Sequence, residues 1–102
     1  MHAYVLTKHA EADLEEIARY TIIEWGEDQA SLYIDKLQQY FQKLVTKHVR
    51  SKTFSPQFPH VFVTSCESHY VFYLHHENEK PLIIAVLHER MDMLARLKKR
   101  LH

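Results

Sequence analysis

Apolar positions along this chain change their period several times, and each change marks an element. Tyr4-Val5-Leu6 is a short apolar run that reads as a first strand. Beyond it, Ala10, Leu14, Ile17, Thr21 and Trp25 recur every three or four residues, with Glu11, Glu15 and Arg19 opposite, which predicts an amphipathic helix. Thr7 is placed to cap it, because its hydroxyl can accept from a free N–H of the first turn, and Gly26 ends it. A second helix is predicted from near Asp28. There Ala30, Tyr33, Ile34, Leu37, Tyr40, Phe41, Leu44 and Val45 cover an arc of roughly 140°, against about 100° for one-sided core packing. Something besides a sheet must cover so wide an arc. The one-residue break at Gly26 makes the first helix the candidate, in an antiparallel helical hairpin.

The period then shortens. Residues 48–60 mix basic groups, aromatics and two prolines and are expected to form a surface loop. His60 to Cys66 reads as a strand, Glu67-Ser68 as a tight turn, and His69 to Leu74 as a β-branched and aromatic strand. After Pro81, the unbroken run Leu82-Ile83-Ile84-Ala85-Val86-Leu87 predicts a central strand covered on both faces. Met91, Leu94, Leu97 and Leu101 return to helical spacing in a short basic helix. The order is strand, helix, helix, strand, strand, strand, helix. Three successive strands with short turns make an antiparallel meander with the helical hairpin against one face, an α+β fold. With no repeat and no linker, residues 1–102 are expected to form a single domain with little core to spare.

Composition narrows the class. A hydrophobic content of 46% with one glycine and three prolines excludes a disordered chain. The net charge of zero conceals an asymmetry: residues 1–35 hold two basic and eight acidic side chains, a balance of −6, and residues 36–102 carry the compensating +6. Such polarity points to a directional electrostatic partner at the basic end. The lone Cys66 has no disulfide partner, and no signal peptide or membrane-length apolar run is visible, so the cytosol is the expected compartment.

Candidate chemistry is sparse. Nine histidines include no helical i, i+4 pair, and His75 and His76 are adjacent, so no metal site is expected. Glu11, Asp13, Glu15 and Glu16 fall in the first turns of a helix, where a solvated acidic face favours the macrodipole. A ribonuclease would need a phosphate clamp and groups to move protons, and Arg50, Lys52, His69, His88 and Arg90 are the candidates for that alternative.

The segments "LTKHAEADLEEIARYT", "WGEDQASLYIDKL", "HYVFY" and "VLHERMD", in this order over nearly the whole chain, resemble the ParE/RelE superfamily of type II toxins. The Trp25-Gly26 pair and the ending Leu87-His88 with Met91-Asp92, followed by a further helix, are similar to the ParE branch. The resemblance implies a toxin that binds DNA gyrase, rather than a ribosome-dependent mRNA endoribonuclease, and that a cognate antitoxin neutralises. It implies no catalytic residue, cofactor, metal, membrane or direct nucleic-acid contact. On this reading Arg90, Arg96, Lys98, Lys99 and Arg100 face outward toward the target. Tyr20, Ile23, Tyr33, Ile34, Leu37, Tyr40 and Phe41 are expected to receive the antitoxin on an apolar groove.

Overall fold

The computed structural model describes residues 3–44, 51–90 and 92–101. The first strand, β1 (Val5–Leu6), leads at once into α1 (Lys8–Trp25) and α2 (Glu27–Gln42). Thr7 caps α1 as expected, its hydroxyl accepting from the Ala10 N–H at 3.1 Å. Gly26 makes the break between the helices at φ +92° and ψ 167°, a conformation essentially reserved for glycine. Four strands follow: β2 (Lys52–Ser55), β3 (Phe58–Cys66), β4 (His69–Leu74) and β5 (Leu82–His88), then α3 (Met93–Leu101). The sheet order is β1-β5-β4-β3-β2, antiparallel except where β1 runs parallel to β5.

The segment expected to be a loop contains a strand. Lys52–Ser55 pairs with β3 as an edge strand, with Pro56 in the turn and Pro59 in a stretch where the register shifts between Thr53 and Ser55. Pro59 precedes Val61, where pairing with β4 begins, so its missing N–H removes no bond from that ladder. Residues 48–50, the first part of that predicted loop, lie outside the described residues, as do Val45, Arg50 and Met91.

Two cores line the two faces of the sheet. On one, Ala10, Leu14 and Ile17 of α1 and Leu37 and Phe41 of α2 pack with Tyr4, Val71, Tyr73, Ile83 and Val86. On the other, Leu97 of α3 packs with Val61, Phe72, Ile84, Ala85 and Leu87. β5 therefore is the doubly covered strand its apolar run predicts. Its strict alternation slips once, because the register with β4 shifts between Phe72 and Tyr73 and places both Ile84 and Ala85 on the α3 side. Among the described residues no helix is long and apolar enough to cross a membrane.

The expected apolar groove on α2 is largely interior. Leu37 and Phe41 are fully buried and so offer nothing to another chain. Tyr33, Ile34 and Tyr40 are half-buried against the same core, and the Tyr40 hydroxyl is bonded to Thr64 Oγ1 at 2.7 Å. The wide arc of α2 is filled by α1 and the sheet together, and Tyr20 and Ile23 of α1 remain exposed.

Candidate functional site

β1 lasts only two residues, so β5 has no strand partner on that edge beyond Ile83. Side chains take the place of the missing strand. Asp13 of α1 accepts from the Val86 N–H at 2.9 Å, and Arg100 of α3 donates to the Ile84 carbonyl at 3.0 Å. The two close on each other as a bidentate pair, with Arg100 Nη1 and Nη2 at 2.7 and 2.8 Å from the carboxylate oxygens. Their side chains are only 14% and 8% exposed. The hydrogen bond to Asp13 raises the Arg100 pKa further above its ordinary value, against the opposing effect of burial. Two expectations are corrected here. Arg100 does not face outward to a target, and Asp13 is not part of a solvated acidic face. Each was assigned by charge alone, although Asp13 sits between Ala10 and Ile17 on the core stripe and Arg100 beside Leu97 and Leu101. A charged residue at a core position was the available signal.

Beside this pair opens a cleft of about 890 Å³ between the C-terminal half of α1, the start of α2 and the ends of β4 and β5. The β4–β5 register sets His69 opposite His88, with ring centroids 5.2 Å apart and rings nearly perpendicular. Tyr33 of α2 reaches over from the hairpin. Its hydroxyl accepts from the Ser68 N–H at 3.3 Å and lies 2.6 Å from His69 Nδ1. Burial, helped by neighbouring His88, lowers the His69 pKa to about 4, although Glu89 and Asp13 pull the other way. His69 is therefore neutral at physiological pH. It lacks the imidazolium proton that a general acid gives a leaving oxygen and carries no charge to attract a phosphate. The Arg90 N–H donates to His88 Nδ1 at 3.1 Å, which fixes the ring's orientation at the end of β5.

Of the residues considered for a nuclease, the cleft gathers His69, His88 and Arg90. Lys52 is elsewhere, on edge strand β2 opposite Val63, and Arg50 lies outside the described residues. The cleft also takes in residues that sequence reasoning did not connect with it, notably Tyr33, Glu16 and Glu89. Trp25, expected on the core face, is 72% exposed, because α1 outruns its support and its last turn overhangs the cleft. Ile23 is 81% exposed and Tyr20 63%, continuing this apolar rim on the helix surface. Arg96, Lys98 and Lys99 on α3 are exposed, as is Arg90. Cys66 is a buried small hydrophobe whose thiol pKa burial raises.

Comparison with known proteins places this geometry in a family. A chain titled as the chromosomal ParDE TA system from P. aeruginosa shares the fold, with a TM-score of 0.66 over 86% of this chain and 98% of that one, at 16% identity. The curated Toxin ParE of Escherichia coli is 48% identical over 99% of this chain and 98% of its own length. Toxin ParE1 of Mycobacterium tuberculosis (strain ATCC 25618 / H37Rv) is 32% identical over 88% of this chain and 92% of its own. The family model for the ParE toxin of the type II toxin–antitoxin system, parDE, matches residues 4–93, which span both helices, the sheet and the cleft, and the chain belongs to that family.

Proposed function

We propose that this protein is the toxin of a type II toxin–antitoxin pair that acts in the cytosol, inhibits DNA gyrase by protein–protein binding and is neutralised by a cognate antitoxin. One observation carries the non-enzymatic part of this reading: the electrostatics of the cleft. Among the described residues the ion pairs are Arg100–Asp13 and Arg19–Glu15, and the cleft lining adds the carboxylates of Glu16 and Glu89 against the one guanidinium of Arg90. Attack on a phosphodiester builds negative charge in the transition state and calls for an excess of cations. This cleft offers an excess of anions, with a neutral His69 beside them.

Exposed surface is the other support. Tyr20 and Ile23 stand out from α1 as anchors for a protein partner, and α3 exposes the basic side chains of Arg96, Lys98 and Lys99. The test is direct. Purified toxin should inhibit supercoiling or accumulate cleaved DNA with gyrase and leave ribosome-bound mRNA intact. Site-specific mRNA cuts that disappear in His69→Ala or Arg90→Ala would overturn the reading and make the protein an endoribonuclease. Charge reversal at Arg96, Lys98 and Lys99 should abolish growth arrest in a folded protein; Arg100 must be left in place, because reversing it breaks the pair with Asp13.

A further inference from the structure

The cleft under Trp25 has a composition that selects its occupant. Its lining includes the apolar side chains of Ile17 and Val86, the exposed rings of Trp25 and Tyr20, and the carboxylates of Glu16 and Glu89, which outnumber the one guanidinium in the lining, Arg90. Asp13, the third carboxylate there, is already neutralised by Arg100. An indole or phenol face beside carboxylates attracts a cation, and an apolar floor accommodates the methylene stem of a long cationic side chain. An acidic segment would meet repulsion from both carboxylates. We propose that this cleft receives a segment of the antitoxin in which an arginine or lysine adjoins apolar residues, the cation lying toward the carboxylates of Glu16 and Glu89 and the apolar neighbours covering Tyr20, Ile23 and the Trp25 ring. This rests on the reading of the chain as an antitoxin-neutralised toxin. It assigns the antitoxin a basic contact at the acidic helical hairpin, whereas the basic surface of α3 suits an acidic one.

Trp25 is the chain's single tryptophan, so its fluorescence reports on the cleft without labelling. The probes are two synthetic peptides of equal length, one alternating leucine with arginine and one alternating leucine with glutamate. The full-length toxin should bind the arginine peptide with a shift of Trp25 emission and at least tenfold more tightly than the glutamate peptide. The Glu16→Gln/Glu89→Gln variant, which keeps side-chain size, should lose that preference. Cognate antitoxin should displace the arginine peptide. Equal affinity for the two peptides, or an unchanged preference in the double variant, overturns the proposal. So does an antitoxin that neutralises the toxin while leaving the arginine peptide bound, an outcome under which the toxin reading stands. An emission shift that follows toxin concentration alone, with dimers in sedimentation, would give the cleft to a second copy, and one produced by gyrase but not by antitoxin would give it to the target; either result refutes the assignment. An antitoxin that fails to bind at all defeats the toxin reading and the assignment with it.

Discussion

Truncating Arg100 to alanine should be among the most damaging single changes in this protein, although it lies in the last turn of a helix of nine residues. The guanidinium donates three hydrogen bonds, two to Asp13 and one to the Ile84 carbonyl, and joins helices that pack on opposite faces of the sheet. Removing it leaves the Asp13 carboxylate, 8% exposed, with the Val86 N–H as its remaining hydrogen-bond partner among those described, and it strands the Ile84 carbonyl at the open edge of β5. Breaking a buried pair from one side costs about 3–5 kcal/mol, because the surviving charge is left desolvated. Domains of this size have about 5–15 kcal/mol in total, so roughly a fifth or more of the stability should go. The melting temperature should fall by roughly 12–40 °C, taking about 4–8 °C per kcal/mol for a domain near 100 residues. Urea unfolding followed by far-UV circular dichroism is the assay, since Trp25 is too exposed to report on core packing. Asp13→Ala and the double variant complete a cycle, and a coupling above about 2 kcal/mol is expected for groups in direct contact. A loss below about 1 kcal/mol for Arg100→Ala, matched by Lys99→Ala on the exposed side of the same helix, would refute the reasoning.

Two further expectations follow from the local geometry. His69 titrates near 4 in the folded protein against an ordinary 6.5, so the unfolded chain takes up its proton first; the corresponding stability, up to about 3 kcal/mol, is present above pH 6.5 and lost as pH falls toward 4. His69→Gln should flatten urea midpoints across that window, and an imidazole NMR titration centred near 6.5 in the native protein would contradict the burial argument. Gly26→Ala should cost about 1–3 kcal/mol purely through its backbone angles, because an added Cβ would meet nothing within 4 Å. An unchanged melting temperature for that variant would show that the helical hairpin tolerates another turn geometry.

The elements themselves were written locally. Thr7 before a three-to-four-residue stripe, the single glycine after it, and an unbroken apolar run from Leu82 to Leu87 determine a capped helix, a hairpin break and a doubly covered strand, because capping, left-handed φ and burial period depend on neighbours within a turn or two. The order of those elements carried the fold class and the family resemblance. What the sequence left open depends on distance across the fold. Strand β2 was hidden by the two prolines that follow it, which the turn at Pro56 and the shifted start of β3, ahead of its pairing with β4, accommodate. Trp25 continued the core stripe, yet only the tertiary structure shows where the support beneath α1 ends. Leu37 and Phe41 belonged to an arc too wide for one neighbour, and packing decided that the core takes them and leaves Tyr20 and Ile23 outside. Asp13 and Arg100 are 87 residues apart and each reads locally as a surface charge. They meet because β1 stops after two residues and exposes backbone groups of β5 that must be bonded, and the carboxylate and the guanidinium satisfy those groups while neutralising each other.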